Sequence, residues 1–149
     1  TMTTQIRESV FETNSSSTHS LSISSVGGIY QTLRHSDGII SVPLRFYDFG
    51  WEQEIYHDAE SKLAYMMIYA RDWSKGKEKE FFEILKEVVE KQTGCILLND
   101  ESEGGYDNGY IDHQSVEDCD LHYMFYEPEL IRQFIFNPNS YLETDNDNH

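Results

Sequence analysis

A chain of 149 residues, 38% hydrophobic and 13% aromatic, has the length and apolar content for one core and not for two. Its 27 Asp and Glu against 11 Lys and Arg leave a net charge of −16, which disfavours duplex nucleic acid and anionic lipid, because binding either one requires cations. No run reaches the roughly 18 consecutive apolar residues of a membrane span, and TMTTQIRESVF lacks the apolar stretch of a signal peptide, so the expectation is a cytoplasmic protein with no membrane and no long nucleic acid as direct partner.

In chain order, IRESVF alternates weakly through Ile6, Glu8 and Val10 and predicts a short strand. SLSIS, with Leu21 and Ile23 two apart, predicts a second strand leaving the polar loop ETNSSSTHS. GGIYQTLRH reads as a turn followed by a short helix or strand. DGIISVPLRFYDF is rich in β-branched and aromatic residues and predicts a strand, with Pro43 arguing for an edge or a break. In HDAESKLAYMMIYARDW, Asp58 can cap a helix whose apolar stripe is Leu63, Met66, Met67 and Ala70. KEKEFFEILKEVVEKQTG places Phe81, Phe82, Leu85, Val88 and Val89 on a second stripe and stops at Gly94. CILLN then fits a buried strand, EPELIRQFIFN a third helix opened by Pro128, and SYLET a last strand. Residues 144–149 are expected to form a frayed acidic tail. The pattern predicts an α+β fold: a single domain over 1–149, with a small, mostly antiparallel sheet packed by two to three helices. Cys95 and Cys119 share no CxxC spacing and read as free thiols.

The loop admits several readings. Clustered Ser, Thr and Asn bond their own backbone, so NSSST is first a set of turns holding a tight connection. Its hydroxyls and amides, helped by Arg7 or Arg34, are also able to cradle an anion. The sharper alternative is a hydrolase or ribonuclease acting on RNA or nucleotide phosphates: His19 as general base, Glu12 orienting it, and Ser16 or its neighbours Ser15 and Ser17 as nucleophile or phosphate ligand. GYIDHQS would complete that set with His113, which matches half of a two-histidine phosphoesterase pattern through Ser115; His19 is followed at the same distance by Leu21.

Metal chemistry has less support. Counting NDESEGGYDNGY as a calcium loop from Asn99 places Glu101, Glu103, Gly104 and Asp107 at suitable positions, but the final bidentate acid is Tyr110. The expectation is no cofactor, with weak Ca or Mg binding by the acidic stretch as the upper limit.

The charge is uneven. From Asn99 to His149 thirteen acids face a single base, Arg132, leaving −12 there and −4 in the first 98 residues. Such a field attracts cationic macromolecules, and aromatic residues among the carboxylates suit stacking on Arg side chains. Trp51, Tyr123 and Tyr126 are flanked by acids in this way. The candidate partner-binding set is Asp100, Glu101, Glu103, Tyr106, Asp107, Tyr110, Asp112, Glu117, Asp118 and Asp120.

RESVFETNSSSTHSL, GYIDHQS and FIFNPNSYLETDNDN together resemble a group of small accessory proteins encoded by phages and prophages of Firmicutes. The resemblance covers the two ends and the acidic middle segment. It implies a host bacterial cytoplasm, where small acidic phage proteins inhibit host defence nucleases, anti-CRISPR proteins among them, by occupying a basic nucleic-acid channel. By that analogy the expected function is a non-enzymatic, nucleic-acid-mimicking inhibitor of a host nucleic-acid-binding protein such as a CRISPR effector. The alternatives are the small hydrolase above and a binder of a signalling nucleotide.

Overall fold

A computed structural model of the chain describes residues 5–12, 17–50, 52–100, 104, 106–112 and 121–146, with backbone alone for 5–12, 17, 18, 106, 145 and 146. The fold is α+β. A four-stranded antiparallel sheet is built from β1 (Gln5–Glu12), β2 (Ser17–Ser24), β5 (Glu54–Tyr56) and β8 (Tyr141–Asn146), in the order β1-β2-β8-β5. Two short parallel pairs stand beside it: β3 (Ile39–Ile40) with β6 (Ile96–Leu97), and β4 (Asp48–Phe49) with β7 (Tyr110–Ile111). Among the described residues, three helices complete the core: α1 (Ala59–Asp72), α2 (Glu78–Thr93) and α3 (Pro128–Phe136).

The ends of the helices follow from local chemistry. Asp58 caps α1, its carboxylate accepting from the Ser61 amide at 2.9 Å and the Ser61 hydroxyl at 2.8 Å. Gly94 ends α2 at φ 75°, a left-handed conformation that costs glycine nothing, and its N–H returns to the Glu90 carbonyl. Pro128 opens α3, where its missing N–H has no helical partner to lose.

The period of two along β2 decides what faces the helices. Leu21 stands opposite Leu142, and His19 opposite Thr144; all four side chains are buried, as is Ile23. On the helix side Phe81 stacks on Phe125 with ring centroids 4.1 Å apart, and Tyr69 stacks on Phe125 at 5.9 Å.

Several elements differ from the sequence pattern. Helix α1 buries every residue from Ser61 to Ala70 and not only one stripe, because α2, α3 and β7 pack around it. Lys62 is consequently sealed inside, where its ammonium donates to the Asn137 carbonyl at 3.0 Å and the Ser140 carbonyl at 2.8 Å. Burial pulls its pKa down to about 7, against the opposing charge of Asp58. The same turn is tied to β2, since the Asn137 amide donates to the Ser24 carbonyl at 2.8 Å. The stretch Gly27–His35 carries no helix or strand, although the Gln31 amide bonds the Phe136 carbonyl at 2.8 Å. DGIISVPLRFYDF is not one strand: β3 ends before Pro43, a 3-10 turn runs Leu44–Phe46, and β4 follows. In CILLN only Leu97 is buried; Ile96 points to solvent. Residues 144–146 are not a frayed tail, because they continue β8 in register with β2; residues 147–149 lie outside the described residues. Among the described residues no helix is long and apolar enough to cross a membrane.

Candidate functional site

Strands β1 and β2 form an antiparallel pair in which Glu12 stands opposite Thr18 and Phe11 opposite His19. The alternation that places Leu21 and Ile23 in the core therefore carries His19 there too. Its ring is 0% exposed. Nε2 lies 3.1 Å from the Gly50 carbonyl and Nδ1 3.0 Å from the Tyr65 hydroxyl. A carbonyl only accepts, so the proton sits on Nε2, and Nδ1 accepts from Tyr65. Burial lowers the pKa of His19, outweighing the Gly50 bond and the charge of Asp112. A general base needs reach to its substrate, and this imidazole has none in the folded state. The expectation of a catalytic His19 is corrected: the ring is an interior strut between β2, α1 and the Gly50 turn. Ser16 and His113 lie outside the described residues, and Glu12 is placed through its backbone alone.

The acidic set from the C-terminal third also separates. Asp112, just after β7, is 2% exposed, too deep to touch a partner, which removes it from the contact set. The Tyr110 hydroxyl donates to it at 3.5 Å. Asp107 is exposed on the 3-10 turn Tyr106–Asn108. Asp100 borders a pocket of about 250 Å³ between α1 and α2, over an apolar floor of Met67, Ala70 and Phe82. Only the backbone of Tyr106 is described, and Glu101, Glu103, Glu117, Asp118 and Asp120 lie outside the described residues. Tyr123 and Tyr126 are exposed, as an interface role requires, and the Tyr126 hydroxyl donates to Glu80 at 3.0 Å.

The acids that do converge come from elsewhere in the chain. Between Arg45 and Lys62 there is no Lys or Arg, while Asp48, Glu52, Glu54, Asp58 and Glu60 all fall in that interval. The first four are exposed; Glu60 is engaged by Arg34 at 2.7 Å and by the Tyr47 hydroxyl. Their mutual field is legible in two titrating groups. The Asp48 carboxyl is pushed up by burial and then by the charges of Glu52 and Asp112. The Tyr56 phenol is pushed up to about 12 by burial and then by Glu54, Asp48, Glu52 and Asp58. Tyr56 packs edge-on against Phe49 at 5.2 Å, which ties this acidic rim to the core. The sequence signal for it was the interval of five acids without a base, overshadowed by the larger excess after Asn99.

Among the described residues no three His, Cys, Asp or Glu side chains converge as metal ligands, and Cys95 is a free thiol. The arrangement defines an α+β domain with an acidic sheet-edge surface. No family model, curated protein or solved structure matches the chain.

Proposed function

We propose that the protein is a phage-encoded, anti-CRISPR-like inhibitor that docks an acidic surface on the basic nucleic-acid-binding cleft of a host defence protein. The observation that carries the reading is the exposed rim of Asp48, Glu52, Glu54 and Asp58, from a stretch with no Lys or Arg between Arg45 and Lys62, on a chain of net charge −16. Carboxylates in such a rim stand in for phosphates, steering encounter at long range and pairing with Arg or Lys in the cleft. Asp107, exposed on its 3-10 turn, adds to the chain's negative field. The burial of His19 weighs against the hydrolase alternative, which needs that imidazole at a surface.

The test is inhibition of purified CRISPR effectors by the wild-type chain and by a triple variant, Asp48→Asn, Glu52→Gln and Glu54→Gln. Exposed pairs contribute up to about 1 kcal/mol each, so the variant should lose about tenfold or more in affinity and most of its salt dependence. Undiminished inhibition by the variant would overturn the assignment of the rim. RNA cleavage by the wild-type chain would favour the hydrolase.

A further inference from the structure

Strand β5 is the last strand of its sheet: β8 pairs with it on one side, and among the described residues no strand pairs with it on the other. A strand has N–H and C=O groups along both edges, so the outer edge of Glu54–Tyr56 is a template for another extended chain. The side chains select which chain. Glu54 and Tyr56 share the inner face with their cross-strand partners Thr144 and Leu142. Ile55 lies with Glu143 on the outer face and is 53% exposed. Asp48, Glu52 and Asp58 flank the edge, all exposed.

A second copy of this chain fits poorly, because edge-to-edge pairing would place two sets of these carboxylates together, and like charges across a strand pair repel. A short charged edge is also a device that blocks pairing. Here, however, the middle of the edge strand presents an isoleucine to solvent, where a blocking design would carry charge.

Building on the docking reading above, we propose that the outer edge of β5 receives an extended segment of the partner in which basic and apolar residues alternate. The segment adds as a fifth strand, its Lys or Arg beside Glu52 and Glu54 and its apolar residue beside Ile55. Main-chain bonds would supply affinity, and the alternation would supply specificity.

The probe is a synthetic peptide alternating Lys and Val, compared with the same peptide N-methylated at alternate amides, which keeps charge and side chains and removes backbone donors. Binding to the full chain is measured by calorimetry at low and high salt, with amide exchange following Glu54–Tyr56. The expected result is at least about tenfold weaker binding of the N-methylated peptide, slowed exchange at β5 with the parent peptide, and weaker parent binding to the Glu54→Gln variant. If both peptides bind alike and salt abolishes both, strand addition is overturned while docking by charge stands. If neither peptide binds, strand addition is overturned; the docking reading falls with it only if the triple variant also inhibits as well as wild type.

Discussion

Replacing Lys62 by Met offers a direct reading of the buried amine. The ammonium lies between the Asn137 and Ser140 carbonyls with no exposed surface, and burial has brought its pKa from 10.5 to about 7. Between those two values the unfolded chain holds the proton and the native chain does not, so Lys62 makes stability climb with pH across that window. At about 1.4 kcal/mol per pH unit the climb is at most about 4–5 kcal/mol. Met has a similar shape and no charge, so it removes the cost of burying an ammonium at low pH. It also leaves two carbonyls without their donor, at about 1–3 kcal/mol each. Near pH 6 these effects oppose, and the variant should lie within about 2 kcal/mol of wild type. Near pH 10 the wild-type amine is neutral and still donates, so the variant should be weaker by several kcal/mol. Urea unfolding of both proteins at steps of pH gives the difference directly, and groups common to both cancel. A difference that stays flat from pH 6 to pH 10 would refute a neutralised buried lysine.

Two further outcomes follow from the interior. His19 should remain neutral below its ordinary pKa of 6.5, so the native chain resists a proton that the unfolded chain accepts, and stability should fall as pH drops below about 6.5; an imidazole signal that titrates at or above that value in NMR would contradict the packing. Gly109→Ala should destabilise by about 2–4 kcal/mol, because φ is +94° there and a Cβ would lie 2.6 Å from the Leu44 carbonyl oxygen; a melting temperature unchanged by the substitution would exclude that close approach.

Much of the fold was legible because its signals are local. Asp58, Gly94 and Pro128 mark helix ends through hydrogen bonds and dihedral angles within a few residues, and the pattern names all three correctly. The alternation of Leu21 and Ile23 locates β2. It also placed His19 on the inward face, yet the run of hydroxyls around it suggested a surface loop. What was illegible depends on tertiary surroundings. Nothing within HDAESKLAYMMIYARDW reveals that Lys62 is fully covered, since that depends on the turn between α3 and β8, which supplies the Asn137 and Ser140 carbonyls. The two-residue strands β3 and β4 are shorter than the period that would announce them. The charge count located acids along the chain but not in space: it ranked the segment after Asn99 first, and the fold buries Asp112 while gathering Asp48, Glu52 and Glu54 at a sheet edge.

The pairing of β2 with β8 has a consequence for synthesis. Leu21 and Leu142 are about 120 residues apart in the chain, so during translation the β1–β2 hairpin emerges long before the strand that closes it. Until β8 is made, the edge of β2 that it covers stands open, and the central pairing waits on a strand far along the chain. Closure of this sheet is therefore a long-range step, and an open β2 edge is an aggregation hazard until that step is complete.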